Sequence, residues 1–118
     1  MRTSDPSAPA AGTVVVVPFP YSDRLAEKRR PAVVISGPAV AEAGFVWIAM
    51  ITSARHEIRG GDLPIPDLEA AGLDVASMVR PSKIACIEPS RILRRIGALS
   101  VPAAEAVFEA VRSRIGPA

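Results

Sequence analysis

Apolar residues come in short runs separated by polar breaks that carry proline or glycine. Thr13-Val14-Val15-Val16-Val17-Pro18 and Ala32-Val33-Val34-Ile35-Ser36 are β-branched and uncharged, which suits strands buried on both faces. The polar stretch Phe19 to Glu27 joins them as a loop. Gly37-Pro38 breaks the second run. Phe45-Val46-Trp47-Ile48-Ala49-Met50-Ile51 predicts a third strand by its length and aromatic content, with Trp47 in the core or at a dimer interface. Leu63-Pro64-Ile65-Pro66 predicts an edge strand, because proline is tolerated where no ladder bond is lost. Asp67 to Gly72 predicts one helical turn. Val75 to Arg80, Ser82 to Ile87 and Arg91 to Ile96 read as three further short strands, punctuated by Pro81 and Glu88-Pro89-Ser90. Such closely spaced strands predict a small barrel or a sharply bent sheet.

The end of the chain changes period. Ser100 is a candidate N-cap, and Pro102 falls in the first turn, where a missing N–H costs little. Ala104, Val107, Phe108, Val111 and Ile115 recur at helical spacing, and Gly116-Pro117 stops the pattern. The expectation is one amphipathic helix laid against the sheet. Residues 1–11, rich in Ser, Pro and Ala, predict a floppy tail that contributes nothing to the core. Residues 12–116 then make a single domain.

Composition narrows the class. A chain of 118 residues fits one modest core, and 49% apolar content excludes wholesale disorder. The net charge of +2 permits an anionic partner without demanding one. The basic residues gather in three groups: Arg24 with Lys28-Arg29-Arg30, then Arg55, His56 and Arg59, then Arg80, Lys83, Arg91, Arg94 and Arg95. Cys86 is the sole cysteine, so no intrachain disulfide forms. It reads as a small core residue rather than a nucleophile. No zinc spacing, Gly-rich phosphate loop or bilayer-length apolar run is present. Arg2 is followed by no apolar h-region, so a signal peptide is not expected and a cytoplasmic protein is.

Two places carry candidate chemistry. Lys28-Arg29-Arg30-Pro31 puts three cations where a loop re-enters the core. Pro31 pushes Arg30 toward extended geometry, which suits an anion clamp; solvated loop charges are the ordinary alternative. Thr52-Ser53 sets two hydroxyls where the third strand ends. If the second and third strands pair antiparallel, Thr52 falls near Arg30; alone, the pair reads as a turn cap.

These segments together resemble the MazF/PemK-type toxins of bacterial toxin–antitoxin systems. The resemblance runs through Gly12 to Pro20, Lys28 to Ser36 and Ile51-Thr52-Ser53, then Gly72-Leu73, Val79-Arg80, Lys83-Ile84 and Arg95 to Leu99. It covers about Gly12 to Ile115. It implies a mainly β (α+β) fold, a small SH3-like barrel with an added C-terminal helix. It implies a homodimer and a metal-independent, cofactor-free endoribonuclease that cuts single-stranded RNA. It also implies a cognate antitoxin with an acidic disordered segment. In the family an arginine just before the proline of the second strand and a threonine followed by serine at the end of the third carry the chemistry. Arg30 and Thr52 match those positions. Ser53 follows as a hydroxyl contact, Arg80 and Lys83 as RNA contacts, and the cations Lys28, Arg29 and Arg55 as parts of the same RNA-binding surface. The loop from Tyr21 to Lys28 lacks the glycine-rich form of some members, so no sequence preference is carried over.

The residue types suit the implied reaction. Attack by the RNA 2′-hydroxyl on the adjacent phosphate builds an extra-charged phosphorane and leaves 2′,3′-cyclic phosphate and 5′-hydroxyl ends. A guanidinium offers a planar fork of donors to phosphate oxygens, and a threonine hydroxyl adds another donor. A guanidinium stays protonated, so Arg30 is a clamp and candidate proton donor, and the base is left unassigned. His56 reads as a loop histidine. Two other readings stay open. One is a CcdB-like toxin that binds gyrase without catalysis, but that branch relies on an aromatic near its C-terminus, and Arg114-Ile115-Gly116-Pro117-Ala118 has none. The other is a catalytically silent RNA- or partner-binding barrel, against which the Arg30 and Thr52 pair counts.

Overall fold

The computed structural model describes residues 8–19, 28–55 and 60–117. Six strands, β1 (Thr13–Phe19), β2 (Lys28–Val34), β3 (Val46–Ser53), β4 (Leu63–Pro64), β5 (Ser77–Ile87) and β6 (Arg94–Ala98), form one curled antiparallel sheet. Their order across it is β4-β5-β3-β2-β1-β6. Among the described residues three α-helices accompany them, α1 (Pro38–Glu42), α2 (Leu68–Ala71) and α3 (Val101–Arg112), with one 3-10 turn at Pro89–Arg91. This is the bent, mainly β architecture with a C-terminal helix that the strand spacing predicts. No helix among the described residues is long and apolar enough to cross a membrane.

Alternation along the central strands feeds two apolar clusters. Val14, Val33, Ala49, Ile51 and Val79 meet Ala104 and Val107 of α3 on one face. Val15, Val17, Ala32, Val34, Ile48 and Met50 fill the other. Burial on both faces is why the strands read as unbroken valine and isoleucine runs. Ser100 caps α3 by accepting from the Ala103 N–H at 3.4 Å, and Arg114, past its end, donates to Ser82 Oγ at 2.6 Å.

Several expectations change. β2 starts at Lys28 rather than Ala32, because β1 keeps pairing with it as far as Phe19 opposite Lys28. The short helix α1 follows Gly37, with Pro38 in its first turn. Two of the anticipated short strands are one strand, β5. Pro81 does not end it: Ala49 faces Ile84 while the next residue, Met50, faces Arg80, so Pro81, Ser82 and Lys83 form a bulge that accommodates the proline. Cys86 is exposed, not core; it lies across from Trp47, itself 42% exposed. Ile115 lies beyond the end of α3 and is exposed. Pro9, placed in the tail by its composition, is buried. The loop from Phe19 to Lys28 falls almost wholly outside the described residues, as do Arg24, His56 and Arg59.

Helix α2 is seated on β6 through two glycines. Asp67 caps it, accepting from the Ala70 N–H at 3.1 Å. Gly72 ends it at φ +77, a left-handed geometry that glycine adopts freely. A Cβ on Gly72 would strike the Ile96 carbonyl oxygen, and a Cβ on Gly97 would strike the Ala70 carbonyl oxygen. The two backbones touch because neither has a side chain between them. Gly97→Ala should therefore cost about 1–3 kcal/mol by overpacking, read as a lowered Tm. Gly37→Ala, with nothing within 4 Å, should shift stability by less than about 1 kcal/mol. Equal melting of the two variants would show that the contact does not hold α2.

Candidate functional site

In an antiparallel sheet, alternate residues direct their backbone groups to the same neighbouring strand. Ile35 N–H donates to the Trp47 carbonyl at 2.9 Å, so by alternation Val33 and Pro31 also turn toward β3. Pro31 has no N–H to give. The β2–β3 ladder stops at Ala32 opposite Met50, while the β1–β2 ladder runs on through Val16 opposite Pro31 and Val17 opposite Arg30. Carried two residues further, the β2–β3 register sets Arg30 beside Thr52. The ladder therefore ends two residues before that pair, and the missing bond costs about 1 kcal/mol.

A cleft of about 880 Å³ opens there. Its floor continues the apolar row of the α3-side cluster: Val16, Pro31, Ile51 and Ile96. β2 supplies Arg29 and Arg30, β3 supplies Thr52 and Ser53, and β6 supplies Arg94, opposite Val16 in register. Arg30 is half-buried and its Nε is enclosed; Arg29 and Arg94 are exposed. The remaining side comes from α2 and the turn after it: Glu69, Leu73, Asp74 and Val75. Ser77, at the start of β5, is buried and donates to the Val75 carbonyl at 2.8 Å, which pins that turn.

The site residues expected from sequence divide accordingly. Arg30, Thr52, Ser53 and Arg29 line one cleft. Ser53 also caps the turn, its Oγ accepting from the Arg55 N–H at 3.2 Å. Lys28 heads β2 and Arg55 follows Ser53, both exposed. Arg80 and Lys83 do not line the cleft. Arg80 is held by Asp62 at 3.2 Å, and Lys83 stands in the β5 bulge. His56 lies outside the described residues.

Sequence reasoning missed Arg94, Glu69 and Asp74 as cleft residues. Arg94 had a signal, since it belongs to the third basic group. The carboxylates had none: they reach the cleft only because Gly72 and Gly97 let α2 dock on β6. Among the described residues, no three or more His, Cys, Asp or Glu side chains gather as a metal site would require. The cleft is thus lined by cations and hydroxyls, with an apolar floor and two acidic groups on one side.

Residues 10–116 match the sequence profile of the PemK-like, MazF-like toxins of type II toxin–antitoxin systems. No individually curated protein matches the sequence. Among solved structures, MazF from Deinococcus radiodurans (Form-I) is similar, with a TM-score of 0.71 and 22% identity over 90% of this chain and 94% of that one. The Mycobacterium tuberculosis toxin MazF-mt6 gives a TM-score of 0.65 and 23% identity, covering 86% of this chain and 93% of that one. An endoribonuclease in complex with its cognate antitoxin, from mycobacterial species, gives 0.67 and 14%, covering 93% and 100%. At these identities the structures report a shared fold.

Restoring the missing N–H tests why the ladder ends at Ala32. In Pro31→Ala the restored N–H should bond to β3, so the residue 31 amide should exchange slowly with solvent and the cleft should narrow. Rapid exchange at that amide would mean that something other than the proline ends the ladder.

Proposed function

The chain belongs to the family of PemK-like, MazF-like toxins of type II toxin–antitoxin systems, and on that premise we propose that it is an endoribonuclease that cuts single-stranded RNA without a metal. The observation that carries this reading is Arg30 and Thr52 on one cleft, just past the end of the β2–β3 ladder. A scissile phosphate seated there meets the Arg30 fork and the Thr52 hydroxyl. The 2′-oxygen bonds to phosphorus as its proton leaves to a base. The bond from phosphorus to the 5′-oxygen breaks as that oxygen takes up a proton. Charge accumulates on the non-bridging oxygens, and preorganised donors aimed at them are each worth about 3–4 kcal/mol. Arg29 and Arg94 attract the flanking phosphates, with Lys28, Arg55, Ser53, Arg80 and Lys83 as further contacts along the strand.

The protein acts in the cytoplasm as a homodimer under this reading, restrained by an antitoxin. Phe45 and Trp47 lie two residues apart on β3's side of the sheet, and Ile84 is a diagonal neighbour of Trp47 through the pairing of Trp47 with Cys86. All three are more than 40% exposed, and such a patch suits a subunit contact. An acidic segment that orders on binding would meet the cationic cleft and exclude RNA.

Incubation with a long single-stranded RNA in chelator should yield fragments ending in 2′,3′-cyclic phosphate and 5′-hydroxyl. RNA carrying 2′-methoxy at the cut should resist. Dependence on added magnesium, or 5′-phosphate products, would overturn the mechanism. Arg30→Lys and Arg30→Ala should each lose about 100-fold or more, since lysine keeps the charge but not the fork; Thr52→Val should also be slow. Arg29→Lys should be mild. Near wild-type turnover by Arg30→Lys would reduce Arg30 to an electrostatic contact. Light scattering should report a dimer that Trp47→Lys weakens; a wild-type monomer at micromolar concentration would contradict the subunit contact.

A further inference from the structure

The acidic side of the cleft has no part in holding phosphate, and a carboxylate there opposes it. Its neighbours are unusual too. Val75 is 52% exposed and Leu93 45% exposed, and both line the cleft with Asp74 and Leu73. Two aliphatic side chains left open beside an exposed carboxylate make a surface with an apolar face and an acceptor at its edge. A nucleobase has the complementary form: a flat face that sheds water against apolar groups, and an edge of donors and acceptors. At about 880 Å³ the cleft lies toward the upper end of small-ligand site sizes, so a phosphate on the Arg30 side leaves room for an adjoining base.

We infer that the turn after α2 reads a base beside the scissile phosphate, with Leu73, Val75 and Leu93 against its face and Asp74, joined by Glu69, accepting from its Watson–Crick edge. The inference rests on the ribonuclease reading of the same cleft. An ionised carboxylate only accepts hydrogen bonds. Guanine presents two parallel donors, N1–H and the N2 amino group, and matches both carboxylate oxygens. Adenine and cytosine present one amino donor each. Uracil flanks its single N–H with two carbonyl oxygens, which repel the carboxylate. The order of preference is guanine first and uracil last.

The test uses chimeric oligonucleotides with one ribonucleotide, so that each has one cut, varied through all four bases on either side of it. Wild-type kcat/KM should favour guanine over uracil by about 10- to 100-fold at one of the two positions, the range of a good bidentate base contact. Asp74→Asn, alone and with Glu69→Gln, should collapse that preference by slowing the guanine substrate while leaving the uracil one within about threefold. Glu105→Gln, an exposed carboxylate on α3 outside the cleft, should leave it unchanged. A preference that survives the double variant overturns the inference. So does an equal loss on all four substrates, which would mark Asp74 as a proton-transfer group, or a loss reversed by magnesium, which would mark it as a metal ligand. Binding of the all-deoxy forms by fluorescence anisotropy separates the two readings. Guanine-selective binding without cleavage sustains base reading and removes the nuclease; cleavage without base preference does the reverse.

Discussion

Pro31 carries no N–H, and it stands where β2 would next donate to β3. That omission sets the limit of the β2–β3 ladder at Ala32 and Met50, although β2 continues beside β1 to Lys28. Arg30 is therefore paired with Val17 of β1 in extended geometry, on the cleft that Thr52 also lines. A flexible loop could carry the same cation, but it would spend conformational entropy to aim it. The arrangement forgoes about one hydrogen bond where the cleft begins.

The rest of the cleft depends on how closely other elements approach that place. Val16 and Arg94 align with Pro31 across three strands, so the floor is a continuous row of the sheet. Helix α2 closes one side, and it can do so because Gly72 and Gly97 bring two backbones into contact. Sheet register thus delivers the cations and hydroxyls, and helix docking delivers the carboxylates and exposed aliphatics. The two groups have separate structural origins.

Much of this was legible in the chain. The valine runs announced doubly buried strands, and Ser100, Pro102 and the 3.6-residue spacing announced α3. The nearness of Thr52 to Arg30 could be anticipated once antiparallel pairing of β2 and β3 was assumed, and the register places them opposite each other when carried past Ala32 and Met50. What stayed hidden was long-range or locally ambiguous. Pro81 reads as a strand terminator, yet a bulge absorbs it, because proline's cost depends on whether a partner needs its N–H. Cys86 sits in an apolar run, but strand alternation turns it outward beside Trp47. Asp74 gave no signal because its place is decided by Gly97, more than twenty residues away in sequence.

In the proposed reaction Arg30 and Thr52 act together on one phosphate. A double-mutant cycle reads that coupling: kcat/KM for the wild type, Arg30→Ala, Thr52→Val and the double variant, on one RNA with one cut site. Groups that act as a unit are strongly non-additive, so the double variant should be little slower than the slower single one. Losses that multiply in full would contradict the claim, since they would place the two side chains on independent parts of the reaction.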